Sequence, residues 1–135
     1  MFERVDHVGI AVEDLDGAVP LYTQALGMEL MARETIPDQG VEAALLEHGE
    51  EHIELLAPLR PETTVGRFLA RRGPGVHHVA YGVADIDATL AELSGRGVEL
   101  IDEAPRLGLH ASRVAFVHPR ASAGVLSEIV EAARA

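Results

Sequence analysis

The sequence predicts an α+β fold in which two tandem βαβββ modules form a curved, mixed β-sheet. The first observation is a repeat: residues 76–83 (VHHVAYGV) match residues 6–12 (DHVGIAV), and His78 lies 71 positions after His7. The second is that each copy alternates like a short strand and is followed by acidic and apolar residues typical of a helix start. Self-similarity of this kind indicates a duplicated fold.

A third observation extends the repeat to the end of each module. Residues 52–56 (HIELL) match residues 126–130 (LSEIV), and this match aligns Glu54 with Glu128, which lies 74 positions later. Each module therefore carries a histidine at the start of its first strand and a glutamate in its last strand.

The first module spans residues 1–58. Residues 2–12 alternate like a strand, and Asp14 or Asp16 can cap a helix whose apolar residues follow the 3.6-residue period. Pro20 fits only near the start of that helix, because proline has no amide hydrogen to donate further along. Further strands are predicted at 28–35, 41–47 and 52–57, with a turn at 37–40 and a hairpin connection at 48–51.

The rest of the chain repeats this order. Residues 59–75 connect the modules and contain a short helix at 63–69 between proline-rich and glycine-rich ends. The second module spans residues 76–135, with strands at 76–84, 98–101, 112–118 and 125–131 and a helix at 87–95. We expect all 135 residues to form a single domain.

Composition narrows the classes of function. The net charge is −11, and Arg71-Arg72 is the only dense basic stretch, which is unfavourable for nucleic acid. No segment is long and apolar enough to span a membrane, and the N-terminus shows no signal pattern. The absence of cysteine excludes disulfides and thiolate metal sites. We expect a cytoplasmic protein that binds a small molecule or a metal ion.

The repeat brings together a candidate metal site of His7, Glu54, His78 and Glu128. Two imidazoles and two carboxylates suit a divalent ion such as Co, Ni, Mn, Fe or Zn, and leave two positions of an octahedron for water or substrate oxygens. Any one of these residues alone is more often structural or solvent-facing, but the symmetry of all four favours ligands. His77 points to the opposite face of its strand, so we expect it to pack or hydrogen-bond instead.

These residues, with others along the chain, resemble the vicinal oxygen chelate superfamily and, in detail, the methylmalonyl-CoA epimerases. The matching segments are DHVGIAV at 6–12, QGV at 39–41, IELLAP at 53–58, GVHHVA at 75–80, FVHP at 116–119 and GVL at 124–126. The double histidine and the FVHP segment are more specific to the epimerases than the ligand set is. The resemblance implies a vicinal oxygen chelate fold, with the sheet arranged around a metal site.

By this resemblance His7, His78 and Glu128 are metal ligands, and Glu54 occupies a ligand position that holds glutamine or glutamate in the family. The implied cofactor is a divalent ion, cobalt first, with Mn, Ni or Zn as alternatives. The implied reaction inverts C2 of methylmalonyl-CoA through a metal-stabilised enolate. One group removes the C2 proton and another returns a proton on the opposite face.

The sequence departs from the family at one catalytic position. Several epimerases carry a glutamate three residues after the glycine of the Gln-Gly-Val segment, and that position is Ala43 here. Glu42 is adjacent, but strand alternation turns its side chain to the other face. Glu47 lies on the same face as Ala43, two alternations further along the strand.

We therefore expect Glu128 to act as a base from the metal shell and Glu54 to be the second catalytic group. Glu47 and His118 remain open as alternatives for that second group. The expected substrate-binding residues are Gln39, Arg113 and His118. Six arginines are candidates for the phosphates of coenzyme A: Arg67, Arg71, Arg72, Arg106, Arg113 and Arg120.

Two other interpretations remain open. A glyoxalase I-like lyase also uses two histidines and two glutamates, and acts on a glutathione hemithioacetal. A non-catalytic member of the same fold binds a small molecule without needing matched pairs of histidine and glutamate. The apolar strand surface suggests a homodimer.

Overall fold

The computed structural model describes residues 1–133, which divide into two compact units. The first unit comprises residues 7–77, and the second comprises residues 1–6 together with residues 78–133. The predicted fold class is confirmed: the chain is α+β, and it contains two βαβββ modules whose strands pair in a mixed β-sheet. Among the described residues, no helix combines the length and the hydropathy needed to span a membrane.

The first module begins with β1 (Arg4–Ala11), whose first residues belong to the second unit. The helix α1 (Leu15–Pro20) follows, and the carboxylate of Asp14 caps it by accepting the Gly17 amide at 2.7 Å. The remaining elements are β2 (Glu29–Ile36), β3 (Val41–His48), β4 (Glu51–Pro58) and, in the connector, α2 (Thr64–Arg72).

The strands of the first module lie in the order β2-β3-β4-β1. The pair β1–β4 is parallel, whereas β2–β3 and β3–β4 are antiparallel. Helix α1 covers one face of these strands, where Leu15 packs in a buried cluster with Leu46 and Leu55. Because side chains alternate along a strand, His7 and Glu54 lie on the opposite face.

The second module repeats this plan. Its elements are β5 (Gly75–Gly82), α3 (Ile86–Gly95), β6 (Arg106–Leu107), β7 (Arg113–Val117) and β8 (Ser127–Glu131). The strand order is β5-β8-β7-β6, with β5–β8 parallel and the other pairs antiparallel. Helix α3 covers one face, where Ile86 and Leu90 pack with Ile129 in a buried cluster.

The N-terminal residues fold with the second unit. The ring of Phe2 stacks on Tyr81 with centroids 4.8 Å apart, and the Glu3 amide donates to the Gly82 carbonyl at 2.9 Å. The chain therefore begins in the second unit and enters the first unit partway along β1.

Pro20 lies in the middle of a helical segment and not near its start as predicted. The segment continues from α1 into a π-helical turn over Leu21–Ala25. Since the proline nitrogen cannot donate a hydrogen bond, the chain changes there to bonds between residues five apart, as between the Leu26 amide and the Leu21 carbonyl at 3.1 Å.

The strand predicted at 98–101 is wrong. Leu100 makes only an isolated bridge to Val117, and the amides of Ile101 and Asp102 both donate to the Phe116 carbonyl, at 2.9 and 3.2 Å. The Asp102 carboxylate in turn accepts the Phe116 amide at 2.9 Å. The Asp102 side chain thus accepts the Phe116 amide in place of a backbone carbonyl, so residues 98–101 do not form a strand. The short strand β6 pairs with β7 instead.

Gly66 offers a direct test of the packing of α2. A Cβ atom there would clash with the carbonyl oxygen of Pro61 and lie 2.7 Å from that of Arg60. Because both obstacles are backbone atoms, we expect Gly66→Ala to lower the free energy of unfolding by about 2–3 kcal/mol. Urea unfolding measures this change.

The matched control is Gly95→Ala in α3, where a Cβ atom meets nothing within 4 Å. This substitution should leave stability unchanged or raise it by roughly 0.5–1 kcal/mol, because alanine has the higher helix propensity. Equal effects of the two substitutions would contradict the described packing of α2.

Candidate active site

A buried histidine and glutamate lie side by side in the first unit. His7 on β1 and Glu54 on β4 are 5% and 8% exposed, and His7 Nε2 lies 3.6 Å from Glu54 Oε2. The parallel register explains the contact: Gly9 is paired with Glu54, so His7 lies two residues before the partner of Glu54 and on the same face.

The second unit contains the same arrangement. His78 on β5 and Glu128 on β8 are 1% and 3% exposed, and His78 Nε2 lies 3.7 Å from Glu128 Oε1. Ala80 is paired with Glu128, so His78 again lies two residues before the partner of the glutamate. The sequence repeat is thus also a repeat of geometry.

The chemistry of both pairs fits a divalent metal ion. The nitrogen–oxygen distances of 3.6 and 3.7 Å exceed the length of an ordinary N–H···O hydrogen bond, about 2.7–3.2 Å. Two ligand atoms that each bind one ion at about 2.1 Å lie roughly 3.0–3.4 Å apart, so only a small approach is needed. Burial of a carboxylate is costly unless a cation or hydrogen bonds compensate for it, and a metal ion supplies that cation.

Phe116 on β7 contacts the histidine of the second pair. Its ring meets the His78 ring edge-on, with centroids 5.6 Å apart and an interplanar angle of 89°. It lies directly opposite Glu128, in the position that Leu45 occupies opposite Glu54 in the first module. In the sequence, Phe116 stands out only as part of the FVHP segment. The hairpin predicted for the first module, repeated in the second, was the available signal, because residues opposite each other share a face.

His77 does not share the face of His78. Its ring packs edge-on against Phe68 of α2, with centroids 5.0 Å apart. Burial lowers the pKa of His77, because the protonated imidazole loses solvation there. The residue therefore serves packing, as the repeat alignment predicted.

The position of the family glutamate carries no ionisable group. Ala43 on β3 is fully buried, and it is paired with Leu56, two residues beyond Glu54 on the same face. No register shift occurs between β3 and β4 here, so the neighbouring Glu42 points to the helix-covered face. There Glu42 accepts two hydrogen bonds from Arg33, which raise the pKa of that guanidinium.

The alternative groups for proton transfer each lie close to another polar side chain. Glu47 on β3 lies 3.3 Å from the imidazole of His52, and His118 lies 3.7 Å from the carboxylate of Glu99. The other ring nitrogen of His118, Nδ1, accepts the Arg120 amide at 3.1 Å.

The expected substrate contacts lie in three different settings. Gln39 ends a short 3₁₀ turn, Pro37–Gln39, just before β3. His118 follows β7 and caps the turn at Pro119–Ser122. Arg113 lies on the helix-covered face and pairs with Asp87 at 3.0 Å and Glu131 at 3.7 Å, so a contact with substrate would require it to leave these carboxylates.

Comparison with known proteins defines the class. The model of the Glyoxalase/Bleomycin resistance protein/Dioxygenase superfamily matches residues 6–116, and the chain belongs to this superfamily.

The resemblance to epimerases is also confirmed. The chain is 36% identical over 131 residues to the ethylmalonyl-CoA/methylmalonyl-CoA epimerase of Cereibacter sphaeroides, covering 96% of this chain and 98% of that protein. The crystal structure of methylmalonyl-CoA epimerase from Mycobacterium tuberculosis has 43% sequence identity and a TM-score of 0.94, covering 98% of this chain and 90% of that one. A methylmalonyl-CoA epimerase in complex with methylmalonyl-CoA and NH4+ has 40% identity and a TM-score of 0.95, covering 98% and 96%.

Proposed function

We propose that this protein is an epimerase that inverts C2 of methylmalonyl-CoA. The observation that carries the proposal is the recurrence of a buried histidine–glutamate pair, in the same strand register, in both units. The relatives support the choice of substrate. One is named for epimerising ethylmalonyl-CoA and methylmalonyl-CoA, and another was solved with methylmalonyl-CoA.

We further propose that His7, Glu54, His78 and Glu128 hold one divalent ion, with cobalt first and Mn, Ni or Zn as alternatives. Three of them, His7, Glu54 and His78, are buried residues of the types that hold a metal ion. Such an ion, when bound, acts as a Lewis acid that draws electron density from the thioester and so makes the C2 proton more acidic.

Proton transfer is assigned to Glu128 and Glu54. Inversion needs one group to take the proton from C2 and a second to deliver a proton to the opposite face of the planar carbon. In one direction the Glu128 carboxylate accepts the C2 proton and the protonated Glu54 carboxyl donates, and in the reverse direction the roles exchange. A carboxylate has two oxygens, so one can hold the ion while the other moves the proton.

Glu54 is preferred because Glu47, on the same face, lies 3.3 Å from His52, and His118 lies 3.7 Å from Glu99. Ala43, at the position of the family glutamate, has no proton to give, and Glu42 points to the opposite face. Gln39, Arg113 and His118 stay proposed contacts for the substrate. The cytoplasmic location and the homodimer remain predictions from the sequence.

Deuterium incorporation at C2 tests the reaction itself. Incubation of the protein with methylmalonyl-CoA in D₂O, with and without added cobalt, should give exchange at C2 that proton NMR detects. The hemithioacetal of methylglyoxal and glutathione serves as the comparison substrate and should not be converted. No exchange under either condition would reject the epimerase, and turnover of the hemithioacetal alone would favour the lyase.

The paired histidines His77 and His78 test the metal site. We expect His78→Ala to lose a metal ligand and His77→Ala to keep all of them, because the two side chains lie on opposite faces of β5. Calorimetric titration with cobalt should show affinity lowered at least about 100-fold for the first variant and nearly unchanged for the second. Equal cobalt affinity of both variants would remove His78 from the site.

Glu54 and Ala43 allow a rescue experiment. Glu54→Gln keeps a metal-ligating oxygen but removes the acid, so kcat should fall by about 10²–10⁴-fold. Adding Ala43→Glu to this variant places a carboxyl on the same face, in the arrangement of family members with a glutamine ligand, and should restore part of the lost kcat. Unchanged turnover in Glu54→Gln would show that another residue supplies the proton.

A further inference from the structure

The arginines of this protein fall into two groups. All 11 basic side chains are arginines, set against 22 aspartates and glutamates. Within residues 1–133, most arginines are neutralised by a carboxylate at a nitrogen–oxygen distance between 2.7 and 3.7 Å. These paired residues are Arg4, Arg33, Arg60, Arg96, Arg106, Arg113 and Arg120.

The other arginines in this part of the chain all lie on α2. Arg67, Arg71 and Arg72 are exposed, and none of them forms an ion pair with a residue in the range 1–133. The helix itself contains no acidic residue. The Arg72 guanidinium lies over the ring of Phe68, 5.7 Å from its centroid, which restricts its orientation.

Helix stability does not account for this cluster. Arg71 and Arg72 lie in the last turn of α2, where a cation favours the helix dipole. Arg67 lies in the first turn, where a cation is unfavourable, and it is four residues from Arg71, a spacing at which like charges repel. In a chain so rich in carboxylates, an unneutralised arginine face of this kind points to an anionic ligand.

We propose that Arg67, Arg71 and Arg72 bind the phosphate groups of the coenzyme A part of the substrate, an inference that rests on the proposed function. Coenzyme A carries a diphosphate and a 3′-phosphate, and guanidinium groups form paired, charge-assisted hydrogen bonds to phosphate oxygens. Because the net charge of −11 repels such a polyanion, a local cationic surface is needed to attract it.

The position of α2 agrees with this role. The helix packs against β4, the strand that carries Glu54, within the first unit. Of the six arginines that the sequence offers for the phosphates, Arg106, Arg113 and Arg120 are already engaged by carboxylates, so only the three on α2 are available without breaking an ion pair.

Binding and kinetics of arginine variants test the inference. The double substitution Arg67→Gln/Arg71→Gln should weaken binding of coenzyme A about tenfold or more in calorimetric titrations, and should leave binding of phosphate-free pantetheine unchanged. KM for methylmalonyl-CoA should rise by a similar factor with kcat almost constant. The control Arg96→Gln removes an exposed arginine that is paired with Glu92, and should change neither quantity.

A second variant separates loss of binding from loss of folding. Arg67→Glu places a carboxylate four residues before Arg71, a favourable spacing on a helix, so the thermal midpoint should not fall. Binding of coenzyme A should nevertheless weaken by a factor similar to that in the double glutamine variant, because both changes lower the charge of the helix by two.

The outcomes also separate this inference from the proposed function. Unchanged affinity for coenzyme A in all α2 variants, beside a wild type that epimerises its substrate, would overturn the phosphate site alone. Weakened affinity in these variants beside a wild type without exchange at C2 would support the phosphate site and reject the reaction. A wild type that neither binds coenzyme A nor exchanges C2 would overturn both.

Discussion

The site depends on parallel pairing between the first and last strands of each module. In both units a histidine lies two residues before the partner of a glutamate, so the imidazole and the carboxylate share a face and meet. A register slip of one residue would turn one member of the pair towards the helix-covered core. The hydrophobic clusters beneath α1 and α3 oppose such a slip, because Leu46, Leu55 and Ile129 would then leave the core. Packing on the helix-covered face of the strands therefore determines which side chains lie together on the other face.

The two modules share a plan but differ in the residues around each pair. Opposite the glutamate, the first module carries Leu45 and the second carries Phe116, which contacts the histidine ring. A connector helix, α2, packs on the first unit and carries the arginines that no described carboxylate neutralises. Duplication accounts for the histidine–glutamate pair that both modules share, whereas the residues around each pair differ.

Much of this structure was predictable from the sequence because the repeat adds long-range information to local patterns. Aligning the two modules selected His78 over His77 and identified Glu54 and Glu128, and alternation along β3 turned Glu42 away from Ala43. Local patterns and the alignment together located α1, α2, α3 and most of the strands to within a few residues.

The rest required coordinates, because it depends on contacts that alternation does not encode. The carboxylate of Asp102 replaces a backbone acceptor and ends the ladder near Leu100. The change from α- to π-helical hydrogen bonding after Pro20 compensates for the missing amide hydrogen of proline. Helix propensity alone does not predict it. Which arginines are neutralised also depends on neighbours distant in sequence, as between Arg113 and Asp87.

The fold of residues 1–6 has a consequence for the separability of the two halves. Phe2 and Glu3 contribute a stacked ring and a backbone hydrogen bond to the unit that contains the C-terminal half of the chain. Dividing the chain at the connector would separate Phe2 and Glu3 from Tyr81 and Gly82, the residues that they contact. The boundary between the two compact units therefore falls inside strands β1 and β5 and does not coincide with the boundary between the two sequence repeats.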